Sequence, residues 1–261
     1  MASPPAPSTT LIDSTAGVSN LVDQLLTLPT SPPSLYIDLE GVNLCREGTI
    51  SLVTLLVQAT RAPNRVFLID VQSLGSLAFS TPGKDGMTLK GILESPDIPK
   101  VFFDVRNDSD ALYAQFNVSL QGIEDVQLME NASRSFGSRK FLSGLAKCIE
   151  LDSHGLEPQV RQSWRLAKEK GERLFKPANG GSYEVFNARP LSEDIIAYCA
   201  GDVQFLPSLR ELHWYNLTQP WKVKVDQETK KRVLESQKLD YQPNGRDKAL
   251  GTWPLEEPVT R

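Results

Sequence analysis

Leu35-Tyr36-Ile37-Asp38-Leu39-Glu40-Gly41 runs an apolar stretch into two carboxylates two positions apart, and a glycine follows. Read as a strand, successive side chains point to opposite faces. Asp38 and Glu40 then share one face, and Ile37 and Leu39 share the other. Two carboxylates side by side at a strand end repel each other and call for a positive partner. A divalent cation with oxygen ligands supplies one. Taken alone, Asp-x-Glu is also common at solvated strand ends, so the rest of the chain has to separate the two readings.

The 261 residues suffice for one substantial core. Hydrophobic residues are 40% and charged residues 23%, as in ordinary globular chains. A formal net charge of -4 excludes a global basic field for non-specific nucleic-acid binding, although a local basic strip remains compatible with it. Cys45, Cys148 and Cys199 are odd in number and widely spaced, unlike a disulfide framework or a zinc site, and they fit a reducing compartment. No apolar run is long enough for a bilayer, and Met1-Ala2-Ser3-Pro4-Pro5 lacks the features of a signal peptide. The expectation is an intracellular protein, nuclear or cytoplasmic, not secreted and without a membrane partner.

Three apolar runs follow one another at short intervals: Leu35 to Leu39, Thr49 to Gln58, and Arg65 to Val71. They predict a meander at the core of a sheet. A short strand at Thr9–Ile12 and a helix over Val18 to Leu28 precede them. Lys100 to Phe103 predicts a fourth core strand, and Val118 to Val126 a fifth. Helical patterns then run from Leu142 to Leu151, from Pro158 to Phe175, and from an N-cap at Ser192 to Trp214. Beyond Pro220 the polar, lysine-rich sequence reads as a solvated extension with one helix at most. Strands first, then strand alternating with helix, then mostly helix, give an α/β fold with a mixed sheet.

Two further acidic groupings join the first. Asp104, Asp108 and Asp110 follow the Lys100 strand, where N-cap and first-turn acids also occur without catalysis. Tyr198 and Asp202 sit four residues apart and so lie on one helical face. Four carboxylates in this order can hold two divalent cations for an in-line displacement at phosphorus, one activating water and one stabilising the leaving oxygen. Magnesium and manganese suit such hard ligands.

In these motifs the chain resembles the DEDD superfamily of 3'-5' exonucleases, in the ribonuclease D-like subgroup with a tyrosine in its last motif. Asp38-Leu39-Glu40-Gly41 is the first motif, the stretch from Lys100 to Leu112 the second, and Tyr198-Cys199-Ala200-Gly201-Asp202 the third, preceded by Arg189-Pro190-Leu191. The resemblance implies a ribonuclease H-like fold with a mixed β-sheet flanked by helices. It also implies two metal ions, Mg2+ or Mn2+, held by Asp38, Glu40, Asp108 and Asp202, with Tyr198 orienting the attacking water. Asp110 is the alternative second-motif acid. The implied substrate is single-stranded RNA or DNA with a free 3' end, RNA favoured, cleaved from that end. An RNA-binding adaptor on the same fold, weak or inactive in catalysis, is the alternative. Expected boundaries are a disordered stretch at 1–8, the exonuclease domain at 9–219 and a polar extension at 220–261.

Arg161, Trp164, Arg165 and Lys168 recur at helical spacing and form a candidate basic strip, with Trp164 able either to stack on a base or to fill the core. Arg139 and Lys140, close to Arg134, form a second basic run. His154 and His213 read as packing or surface residues. Protein partners have no signature in the sequence.

Overall fold

The structure, a computed structural model, describes residues 8–59, 63–135, 138–152 and 157–253. Its frame is a six-stranded sheet made of β1 (Ser8–Ile12), β2 (Leu35–Glu40), β3 (Leu52–Val57), β4 (Arg65–Asp70), β5 (Lys100–Phe102) and β6 (Ile123–Asp125). The order across the sheet is β1-β4-β3-β2-β5-β6. The central meander is antiparallel, with Asp38 opposite Thr54 and Glu40 opposite Leu52. β1 pairs with β4, β2 with β5 and β5 with β6 in parallel. This is the mixed sheet that the apolar runs predict.

Alternation along β2 sorts its side chains between the two layers. Leu35, Ile37 and Leu39 face a core shared with α1 (Thr15–Leu25), α2 (Val71–Leu74), α3 (Leu77–Ser80), α4 (Leu89–Glu94) and α5 (Arg106–Phe116). Tyr36 belongs to the opposite core. That core is closed by residues of α6 (Val126–Ser133), α7 (Leu145–Asp152), α8 (Pro158–Phe175), α9 (Glu193–Gln204) and α10 (Leu206–Asn216). Asp38 and Glu40 project to the same side as Tyr36, toward α8 and α9. Gly41 ends the strand where its backbone runs against Thr49; a Cβ there would stand 1.9 Å from the Thr49 carbonyl oxygen. Only glycine allows that approach.

Two predicted elements are redrawn. The helix expected from Ser192 to Trp214 is two helices, broken at Phe205, with Pro207 in the first turn of α10. Proline lacks the N–H that a continuous helix would need there. The stretch beyond Pro220 is not a solvated tail. Residues Gln219–Ser236 form α11, which packs against α5, α6 and β6 and buries Trp221, Val225, Arg232 and Val233. Its buried positions recur at helical spacing, but Thr229, Arg232 and Ser236 among them are polar, so the sequence shows a poor amphipathic pattern. His154 lies outside the described residues. His213 is buried, with Nδ1 3.0 Å from Ser133 Oγ.

Lys100 is fully buried beneath the loop after α4. Its ammonium donates to the carbonyls of Ile92 (3.1 Å) and Ser95 (2.7 Å) and forms no ion pair among the described residues. Burial pushes it down to about 7. The unfolded chain holds this proton up to about pH 10, so native stability should rise between those values. A Lys100→Met variant lacks that gain. Its stability relative to wild type, read from urea titrations, should fall by up to about 4 kcal/mol from pH 7 to pH 10. A difference that does not change with pH would contradict it.

Candidate active site

β2 and α9 bring the first and third acidic motifs together. Ser192 caps α9 by accepting from the Ile195 amide, and Glu193 and Asp194 occupy its first turn, as the sequence predicts. The helix then lays Tyr198 and Asp202 on one face toward β2. Carboxylate oxygens of Asp38, Glu40 and Asp202 all lie within 4.8 Å of one another. Asp202 is buried, and Asp38 and Glu40 keep some solvent contact.

Crowding acids in this way raises their proton affinity. Burial, then Asp202, pushes Asp38 up to about 7. Burial, then Asp38 and Asp202, holds Glu40 well above the usual carboxylate range. Asp108, in the first turn of α5, stands outside the three-residue cluster. It is buried, and burial followed by the charge of Asp38 raises it too. Asp110 points elsewhere: its carboxylate accepts from the Arg46 side chain (2.7 Å) and from the Arg46 amide (2.8 Å). Of the two second-motif acids, only Asp108 is turned toward Asp38.

One cation lies inside the cluster. Lys168 of α8 donates to both Asp202 oxygens at 2.7 Å and to the Tyr198 hydroxyl at 3.2 Å. Burial alone would lower its proton affinity, but Asp202, Glu40 and Asp38 outweigh that and raise it. The ammonium also sits 4.5 Å from the Tyr198 ring centroid. Tyr198 packs edge-on against Phe175, at 5.0 Å, and beside Phe186, at 6.3 Å. Burial, then the charges of Glu40 and Asp202, keeps its phenol protonated well beyond the ordinary range. One ammonium does not balance four carboxylates, and an all-oxygen donor set fits a hard divalent cation.

The predicted basic residues divide. Lys168 enters the cluster. Arg161 and Arg165 line a cleft of about 370 Å³ toward the N-terminal end of α8, with Arg165 3.4 Å from Glu150. Trp164 is core: it is buried, donates from Nε1 to the Gly201 carbonyl (3.2 Å) and packs edge-on against Phe205. It also lines the cleft beside Arg161 and Arg165, but too little of its ring is exposed for a base to stack on it. Arg139 is buried as well, donating to the carbonyls of Asn131, Ala132 and Arg134 with its guanidinium over Trp221. It braces α6 and cannot hold a strand of nucleic acid. Lys140 is exposed.

Gly171 carried no signal in the sequence. A Cβ there would meet the Tyr198 ring at 2.5–2.6 Å, so this glycine sets how closely α8 approaches α9. Arg189, by contrast, belongs to a recognised flank. It pairs with Asp70 at the end of β4 and ties the loop before α9 to the sheet.

A mixed six-stranded sheet thus gathers carboxylates from β2 and α9 at one place, with the buried Asp108 of α5 near enough to feel the charge of Asp38. The chain belongs to the 3'-5' exonuclease family, whose model matches residues 10–212, and it is a 3'-5' exonuclease. Among solved structures it is similar to Trypanosoma brucei RNase D in complex with GMP, at 24% identity and a TM-score of 0.69, over 94% of this chain and 69% of that one. RNase D from the same organism in complex with RNA U12 gives 22% identity and a TM-score of 0.69, over 94% and 76%. Escherichia coli RNase D, an exoribonuclease involved in structured RNA processing, gives 18% identity and a TM-score of 0.59, over 89% of this chain and 51% of that one. Likeness at these identities is one of fold. No curated protein sequence matches the chain. No helix among the described residues is long and apolar enough to cross a membrane.

Proposed function

We propose that the protein hydrolyses single-stranded RNA from its 3' end with two divalent ions, Mg2+ or Mn2+. The observation that carries this reading is the cluster of Asp38, Glu40 and Asp202, whose acids are held together against their own repulsion with a single lysine beside them. Asp38, Glu40 and Asp202 would hold one ion, and Asp38 with Asp108 the other. When bound, the ions supply an activated water at neutral pH and charge for the leaving oxygen.

The protein's own groups do the rest. Tyr198 stays neutral and directs its hydroxyl at the attacking water, an orienting role that needs no phenolate. Lys168 adds a positive charge beside Asp202 that can meet a phosphate oxygen. Arg165 and Arg161 lie about one and two turns before it on α8 and extend the basic track for the strand. RNA is preferred to DNA because a similar structure holds RNA.

The test is degradation of 5'-labelled single-stranded RNA and DNA with Mn2+, with Mg2+ and with chelator. A ladder that shortens from the 3' end and depends on metal supports the reading. Tyr198→Phe should slow it by about 10- to 100-fold without loss of fold. RNA binding with no degradation by folded wild type would favour the adaptor.

A further inference from the structure

The family match ends at residue 212, yet buried groups beyond it reach into the second acidic motif. We infer that the C-terminal segment is a strut that sets the position of Asp108, with Arg232 and Arg46 as its positioning residues. The inference rests on the proposed role of Asp108 and extends it.

The first anchor is Arg232 of α11. Its Nη1 lies 2.8 Å from Asp125 Oδ2, 3.0 Å from Gln127 Oε1 and 3.6 Å from Asp104 Oδ1. Asp125 is fully buried at the end of β6. It accepts from the amides of Asp104 (2.9 Å), Val105 (3.3 Å) and Gln127 (3.0 Å). Asp104 has a φ of 63°, a left-handed conformation that aspartate tolerates better than most residues and that these contacts hold in place. Arg106 grips the Asp104 carboxylate with Nε and Nη2, at 2.5 and 2.6 Å, and donates from Nη2 to the Lys248 carbonyl at 2.9 Å. The turn that launches α5 is thus held on one side by α11 and on another by the segment after it.

The second anchor is Arg46, in the loop after the first motif. Besides Asp110, it donates to the carbonyls of Ser236 (2.9 Å), Lys238 (2.6 Å) and Leu239 (2.8 Å) at the end of α11. A guanidinium suits the carbonyl-rich end of a helix. One side chain therefore joins the first motif, α5 and the C-terminal helix. Asp108 lies between the two anchors, four residues after Asp104 and two before Asp110.

Arg46→Lys keeps a charge for Asp110 but cannot also span three carbonyls. Arg232→Met removes the other anchor. Val225→Ala, in a separate apolar cluster on the same helix, is the control for simple loss of packing. Amide exchange over residues 104–110 should rise about tenfold in Arg46→Lys and stay at the wild-type rate in Val225→Ala. With RNA as substrate, kcat should fall about tenfold in Arg46→Lys with KM within about twofold, and Mn2+ titration should show one of two ions weakened. Arg232→Met should match this if it folds; Arg46→Lys carries the test if it does not. Unchanged exchange over 104–110 would overturn the strut whatever the enzyme does. Raised exchange in a variant with wild-type kcat and Mn2+ affinity would overturn the link to Asp108. Raised exchange in a protein whose wild type neither binds Mn2+ nor degrades RNA would uphold the strut and overturn the metal-dependent reading.

Discussion

Asp38→Asn should melt several degrees above wild type in chelator at pH 8, and should lose nearly all turnover. Burial and the neighbouring Asp202 push Asp38 up to about 7, so the metal-free native state holds an unfavourable charge above that pH. The sign follows from linkage. Between the unfolded value near 4 and about 7, the native state binds the Asp38 proton more tightly than the unfolded chain does. Metal-free stability therefore falls as pH rises through that window. The loss is on the order of 1–3 kcal/mol, because the carboxyl keeps some solvent contact and Lys168 offsets part of the repulsion. Asparagine removes the charge and keeps the shape. The two proteins should converge near pH 5, where Asp38 is protonated.

Mn2+ should reverse the ranking at pH 8, because wild type gains binding energy that the variant cannot match. Turnover should drop by at least about 1,000-fold, since a ligand shared by both proposed ions is lost. Melting curves at pH 5 and pH 8, each with chelator and with Mn2+, beside a degradation assay, give the whole pattern. An Asp38→Asn protein less stable than wild type in chelator at pH 8 would mean that the carboxylates are not held against repulsion. Stability surrendered at an active site in this way is a common trade.

The cluster could be read in the sequence because its parts are local. Asp38 and Glu40 share a face through the two-residue period of a strand, and Tyr198 and Asp202 share one through a helical turn. The meander was equally open, since β2, β3 and β4 are apolar runs joined at short range. What local pattern could not supply is the partner brought from a distance. Lys168 carried its position on a basic face, but its ion pair with Asp202 spans 34 residues. Asp108 is the preferred second-motif acid, but what takes Asp110 out of contention, Arg46, lies 64 residues away. α11 was obscured because its buried face includes a threonine and an arginine, and the arginine finds its partners, Asp125 and Gln127, only in the folded protein. Trp164 and Arg139 show the converse. Residue types that suit nucleic acid also serve as core and brace, and burial alone separates those uses.

Gly171→Ala should cost more activity than stability. Alanine favours a helix over glycine by about 1 kcal/mol, so on an exposed face the change would help. Here the added methyl would meet Tyr198 Cβ and Cγ at 2.6 Å and Cδ2 at 2.5 Å. The ring has nowhere to go, with Phe175 and Phe186 packed around it. α8 must back away from α9. Overpacking of this kind costs about 1–3 kcal/mol, partly offset by the better helix former, so melting should fall only slightly. Lys168, one turn earlier on α8, moves with the helix and loses its 2.7 Å contacts with Asp202 and its 3.2 Å contact with the Tyr198 hydroxyl. A shift near 1 Å at a positioned group can cost about 100-fold in rate. kcat should therefore fall by about 10- to 100-fold, with Tyr198 displaced from the water it would orient. Lys170→Ala, one residue away with an exposed side chain, is the matched control and should stay near wild type. If Gly171→Ala turned over RNA at the wild-type rate, the close approach of α8 to α9 would not be what arms Tyr198, and the tyrosine's place would have to come from its aromatic box alone.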